Sequence, residues 1–537
     1  MAKEEKGKKK PGIVKRIFKW IGLGLLSLLL IAALIFQAPW KVTALLVVIL
    51  LACTILPKAY RKWFWLSVAA VVIALITWVF LPDRKGDWKP YTFDEELAAL
   101  EAKRAIPDSE NAAIIYNQLL KIEILDGNEP EFFAQSTPAS ISGPWLAKDH
   151  PEMAEWLQQQ ESKIATLLLA TKKEKCRFPV NADFINISQT MDRLPSMRQC
   201  AYLLICAGNN DIGEGRIGAG LEKYLCVIQM AKHQRQQPAL IDFLVGVALE
   251  ALSINRFKRF VVTGDATEEY LRVIEETLTE IKHDWGYDLP KFIGHDKLMA
   301  KSLLSMFYGV SPEGKIKLNP GMASRAMMTQ LPEDMKDEIA LKYWLRKLMK
   351  ATTIWAWFYM PSTPQKASKI IDASYEKLYA MAEPDFDWDK QPAKPSRWIK
   401  LNFRYLTEHL AGILEPPYHR IHDTYLRVVA EQRGSRLIIA LRRYKNKNAV
   451  WPERLDDIKS FAPAEIFVDP INGDSFVYKL TEENFTLYSK GKNNIDENGQ
   501  YNTKWAPDYS WHKVEEDDWL IWPPRSCKTK EEKTDAE

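Results

Sequence analysis

Three uncharged apolar stretches crowd the first 81 residues of this chain: Trp20–Phe36, Val42–Pro57 and Trp63–Leu81, of 17, 16 and 19 residues. Roughly 20 apolar residues of helix cross a hydrocarbon core. Trp40, Trp63, Trp65 and Trp78 stand at or near the ends of the runs, where an indole ring favours the interface. A cleaved signal peptide would explain only the first run, and no small-x-small cleavage site follows it. The head therefore predicts three transmembrane helices over residues 20–81, with the lipid bilayer as a partner. Eight cations from Lys3 to Lys19 precede the first run, and Lys58, Arg61 and Lys62 lie between the second and third. Only Lys41, Arg84, Lys85 and Lys89 fall on the other side. By the positive-inside rule, residues 1–19 form a basic cytoplasmic N-terminus. The expected location is a bacterial inner membrane with a periplasmic body. If the short second run only dips into the bilayer, the body returns inside.

Charge separates the head from the rest. Of 73 Lys and Arg, 12 precede Pro82, against two acids, so the remainder carries 61 basic and 67 acidic residues. A net charge of −6 on that remainder repels a phosphate backbone, which argues against nucleic acid as a partner.

Residues 82–416 read as a helical extracytoplasmic body. Thr92 with Glu95, and Asp265 with Glu268, have capping-box spacing ahead of apolar residues. Amphipathic segments follow at Glu110–Ile124, Glu152–Thr171, Ser196–Ala207, Arg216–His233, Ala239–Val262 and Glu333–Met360. Gly208-Asn209-Asn210-Asp211 reads as a polar turn between two of them, giving helical hairpins loosely like tetratricopeptide units. No 34-residue period is sustained. The aromatic Thr352–Met360 is too short to span a bilayer and reads as a buried helix end. Asp385 to Asp389 alternates carboxylates, but Lys390 and Ser396 stand where a calcium-binding EF-hand needs Gly and Glu, so the segment reads as a polar linker.

Motifs for catalysis are missing. The sequence has no H-E-x-x-H, no G-x-S-x-G, no phosphate-binding glycine loop and no dinucleotide fingerprint. His419 and His422 share a helix face beside Asp423, yet two ligands on one turn need a third from elsewhere. Cys176, Cys200, Cys206 and Cys226 lack the close pairing of a zinc site. Cys200 and Cys206, about 9 Å apart along one helix, are beyond disulfide reach of each other. Pairing of one of them with Cys226, or burial of all four as free thiols, both remain open.

The character changes after Pro417. A helix over about 420–444 is followed by Ser475–Leu480 and Asn484–Ser489, two alternating segments around a turn that predict an antiparallel hairpin. ALRRY (440–444), WPERL (451–455), DPING (469–473), LYSKG (487–491) and DDWLIW (517–522) occur in that order. This order resembles the C-terminal part of the major pseudopilins of type II secretion. The resemblance implies a small α+β module over 417–524, with 525–537 left as a charged, disordered tail. No prepilin leader is present, so the resemblance does not extend to processing or polymerisation. In total arrangement the chain looks like a group of uncharacterised bacterial multi-span membrane proteins.

The last sequence feature is a candidate cation site. Asn494, Asp496 and Asn498 place oxygen side chains at alternate positions before Gly499, as a loop around a hard cation such as Ca²⁺ requires. Trp505 stands where an EF-hand needs its twelfth-position Glu. The pseudopilin resemblance implies that Asp517 and Asp518 complete the set, because that family binds calcium between this loop and the acidic segment before its terminal tryptophan. The expected protein is mainly α: three transmembrane helices, an all-α body of helical hairpins and a pseudopilin-like end module. The expected role is envelope binding or scaffolding with a protein partner, rather than catalysis. The alternatives are an envelope hydrolase or transferase with its site in the body, or an accessory of a secretion or pilus machine.

Overall fold

The computed structural model describes residues 26–31, 40–55, 57–80, 89–120, 129–134, 139–180, 188–318, 360–388, 418–482, 484–501 and 517–524. It is mainly helical with two small antiparallel sheets. The second apolar run forms helix α1 (Trp40–Ile55) and the third lies in α2 (Lys58–Phe80). Among the described residues no helix is long and apolar enough to cross a membrane, which overturns the expectation of three transmembrane helices. The 16 residues of α1 rise only about 24 Å. Helix α2 spends its first turns on Lys58, Arg61 and Lys62, leaving about 27 Å uncharged against a core of roughly 30 Å. Of the first run only residues 26–31 are described. The inner-membrane location, with its cytoplasmic N-terminus and periplasmic body, falls with the spans on which it rested.

The body begins with α3 (Asp94–Lys103) and α4 (Ala112–Leu119). Neither expected capping box forms. Phe93 is the cap residue of α3, while the Thr92 hydroxyl donates to Asp94 at 2.6 Å. Asn111 instead caps α4, its Oδ1 accepting from the Ala113 N–H at 3.0 Å. The segment read as one helix over 152–171 is two, α5 (Pro151–Gln159) and α6 (Glu161–Thr171). Helices α7 (Ser188–Gly213), α8 (Ile217–Arg235) and α9 (Leu240–Thr263) follow in close succession, with α8 packed against both neighbours. Then come α10 (Glu268–Glu280), α11 (Trp285–Ser302) and α12 (Pro364–Glu376). The segment 333–359 lies outside the described residues.

The polar stretch Gly208–Asp211 is not a turn but the interior of α7. Its polarity is absorbed by burial contacts: Asn209 accepts from the Tyr224 hydroxyl at 2.5 Å and donates to the Ser140 carbonyl at 2.8 Å. Asp211 is held by Lys223 at 2.5 Å and Arg216 at 2.7 Å. Gly208 and Gly220 mark the crossing of α7 and α8. A Cβ on Gly208 would sit 2.7 Å from the Tyr224 ring, and one on Gly220 would sit 2.8 Å from the Gly208 carbonyl oxygen. Two helices can approach this closely only where both lack a side chain.

The body is not all-α. Strands β1 (Lys89–Pro90), β2 (Tyr308–Val310) and β3 (Ile316–Leu318) form an antiparallel sheet in the order β1-β2-β3. Strands of two or three residues are too short to leave a period-two signature in the sequence.

Helix α13 (Tyr418–Asn448) unites the molecule. At 31 residues it is about 46 Å long. Its first half, through Tyr418, Ile421 and Tyr425, belongs to a core made with α11, α12 and Phe243 of α9. Its second half, from Ala430 through Leu437 to Leu441, joins the larger core of α4, α6 to α10 and the C-terminal strands. Strands β4 (Val477–Leu480), β5 (Phe485–Ser489) and β6 (Trp519–Trp522) make the second sheet, and β4 and β5 form the expected hairpin. Gly434 of α13 lies so close to β6 that a Cβ would meet Ile521 at 2.7 Å.

The α7–α8 crossing gives a test of this packing. Gly220→Ala should destabilise the protein by about 1–3 kcal/mol, because the added methyl overlaps the Gly208 carbonyl as well as the Ile212 side chain, and the backbone overlap cannot be relieved by a side-chain rotation. Gly218→Ala, on the same helix with open space around its Cβ position, should be neutral or slightly stabilising. Denaturant midpoints of the two variants check it.

Candidate functional site

The loop after β5 carries the candidate site. Gly491, Asn494, Asn498 and Gly499 have φ between 56° and 78°, which folds the loop back on itself. Asp517 and Asp518 arrive beside it at the start of β6. The Asp518 Oδ2 accepts from the Gly499 N–H at 2.7 Å and the Glu497 N–H at 3.1 Å. Its Oδ1 is buried with no hydrogen-bond partner. Burial above all pushes the Asp518 carboxyl up to about 6; Glu497 and Asp496 push the same way, against the two loop N–H groups.

The other predicted residues face elsewhere. Asp496 accepts the Tyr488 hydroxyl at 2.6 Å and the Asn498 N–H at 2.9 Å, and the Tyr488 bond foremost holds its carboxyl below the ordinary value. The Lys479 ammonium lies 3.1 Å from Asp496 Oδ2 and 2.7 Å from Asn498 Oδ1. Asp517 accepts the Lys492 N–H at 2.7 Å and stands 3.6 Å from Arg427. Asn494 contributes its left-handed backbone to the turn. Glu497 is the residue the sequence reading passed over: it accepts the Asp517 N–H at 2.6 Å and an N–H from Asn493 at 3.1 Å, tying loop to strand. Nothing in the alternating pattern distinguishes it, because its position is the one that pattern skips.

A calcium ion needs six to eight oxygens converging at about 2.3–2.6 Å. The residues do not fit such a cage. Asp496 and Asn498 turn to a lysine, Asp517 to a backbone amide, and of the Asp518 carboxylate only one oxygen is free. Among the described residues no three His, Cys, Asp or Glu side chains gather to hold a metal ion.

The body holds a second constellation, which the sequence reading missed. The extended segment 173–178 is gripped by one face of α8 and the two residues that follow it. Gln229 Nε2 and His233 Nε2 reach the Lys173 carbonyl at 3.2 and 2.8 Å. Gln236 accepts the Cys176 N–H at 2.7 Å and donates to the Glu174 carbonyl at 2.8 Å. Gln237 takes the Phe178 N–H at 3.1 Å and gives to the Cys176 carbonyl at 2.9 Å. A carbonyl only accepts, so His233 Nε2 carries the proton and Nδ1 accepts from Tyr116 at 2.9 Å. Burial, foremost, pushes this imidazole down to about 4. The run HQRQQ (233–237) was the available signal: three amides and an imidazole over little more than one turn, too polar for a core face unless backbone lies against it.

Cys176, Cys200, Cys206 and Cys226 are free and buried, so none pairs with Cys226. His419 and His422 sit in an aromatic cluster, where Trp388 stacks on His422 at 3.7 Å. Trp388 lies in the segment read as a polar linker; its indole belongs to the packing of α13. No family model matches the chain, and neither the curated proteins nor the solved structures yielded a match.

Asp518 supplies a prediction with a definite sign. Folded, it keeps its proton to about pH 6; unfolded, it releases it near 4. The native state binds more protons between those values, so stability falls as pH rises from about 4 to 6. Asp518→Asn removes that loss. Calorimetry should find the variant equal to or below wild type at pH 4 and gaining on it by about 1–2 kcal/mol between there and pH 8. A variant that instead loses ground to wild type as pH rises from 4 to 8 would mean that the carboxylate is held by a cation.

Proposed function

We propose that this chain is a binding or scaffolding protein. The observation that carries the reading is the commitment of its reactive side chains to holding the frame. Burial raises the thiols of Cys176, Cys200 and Cys206 to about 12, which leaves them protonated and poorly nucleophilic at neutral pH. His233 is a neutral strut, and Asp242 is paired with Arg193. What results is a stiff platform in which the helical body and the C-terminal sheet share one core. A platform of that kind presents fixed surfaces to a protein partner.

One observation favours a hydrolase or transferase in the body. His283 Nε2 meets Glu250 at 3.0 Å while its Nδ1 is unpartnered, the arrangement of an oriented base. Both side chains are 2% exposed, however, and Arg235 covers the same carboxylate at 3.1 Å. No substrate reaches a base so enclosed, and the binding reading is preferred.

Two measurements separate these readings. Thiol and serine-hydrolase probes applied to the native chain at neutral pH should label none of Cys176, Cys200, Cys206 or Cys226 and no body serine until denaturant is added. In-cell crosslinking should return a stoichiometric protein partner whose crosslinks cluster on one face. Probe labelling that His283→Ala abolishes would replace the binding reading with the enzymatic one.

A further inference from the structure

We infer that the Lys479 ammonium is the resident cation of the 491–499 loop, closing it without a metal ion. The inference is independent of the scaffold reading and rests on where this side chain lies. Lys479 is on β4, next to β5, and reaches over Tyr488 to the loop. Its Nζ lies 5.3 Å from the Tyr488 ring centroid. The same nitrogen contacts Asp496 Oδ1 at 3.3 Å, Asp496 Oδ2 at 3.1 Å and Asn498 Oδ1 at 2.7 Å. Two of the three loop side chains with calcium-ligand spacing therefore converge on one positive charge, and that charge is covalently part of the chain.

One of the two acids that β6 brings to the loop also meets a protein cation. Arg427 of α13 stands 3.6 Å from Asp517 and 4.8 Å from the Trp519 ring. Lys492, inside the loop, pairs with Asp423 of α13. Lys479 thus bridges the loop oxygens, while the Lys492–Asp423 and Arg427–Asp517 pairs dock the loop on the long helix. An ammonium offers three donors to a loop that an ion would hold through six or more oxygens. That explains why only two loop side chains turn toward Lys479, while Glu497 ties the loop to β6.

The test uses the full chain and a local readout, since a half-exposed ion pair moves global stability little. Amide hydrogen exchange is followed at Asn498 and Gly499, whose N–H groups are bonded to Asp496 and Asp518. Wild type should exchange at the same rate in chelator and in millimolar Ca²⁺. Lys479→Met should exchange about fivefold faster in chelator. Lys479→Arg should stay close to wild type. Calcium-dependent protection in the wild-type chain would overturn the inference, as would a Lys479→Met loop that exchanges at the wild-type rate in chelator.

Discussion

One buried ammonium governs how the parts of this molecule sit together. Lys258 of α9 is almost wholly enclosed, and its Nζ donates to Glu431 of α13 at 2.7 Å and to the Ile521 carbonyl of β6 at 2.9 Å. An enclosed charge without partners costs several kcal/mol, so all three elements must be in register before the core can close. The helical body, the long helix and the terminal sheet are therefore interdependent. Gly434, which brings α13 against Ile521, makes the approach short enough for the lysine to reach.

The same economy governs the joint between the two cores. The link from α10 to α11 is held from several directions at once. Gln432 donates to the Leu278 carbonyl and to the Ile281 carbonyl at 2.6 Å. Arg235 donates to the Lys282 carbonyl at 2.7 Å, and the Trp285 N–H reaches the Tyr425 hydroxyl at 3.1 Å. Glu250 closes the group between His283 and Arg235, which hold its carboxyl below the ordinary value even though burial works the other way. Backbone that leaves a helix inside a protein must find partners, and here side chains of α8 and α13 supply them. The clamp on residues 173–178 repeats the device with amides and a neutral imidazole.

These networks explain why a chain rich in buried polar groups gives few catalytic signals. A histidine whose two ring nitrogens are bonded within the frame cannot shuttle protons, and a thiol held near 12 does not attack. The polar residues of the body are spent on geometry. In the C-terminal loop, by contrast, charges lie partly in solvent, and their pairing sets local order rather than global stability.

Periodicity and turn chemistry made much of the helical order and the β4–β5 hairpin legible in the sequence, because those signals depend on neighbours a few residues apart. The apolar runs were legible as helices too. Their span was not, since crossing a membrane depends on where each helix begins, and α2 begins on its lysines. Gly208–Asp211 misled because its partners, Ser140 and Tyr224, come from elsewhere in the chain. The acidic loop was visible as a set of oxygens at alternate positions. Only the tertiary structure decided which of them face one another, because Lys479 reaches the loop across β5 and Asp517 and Asp518 return to it some 20 residues later. Local spacing fixes which side chains share a face; what meets that face is fixed by strand pairing and helix crossings between distant segments.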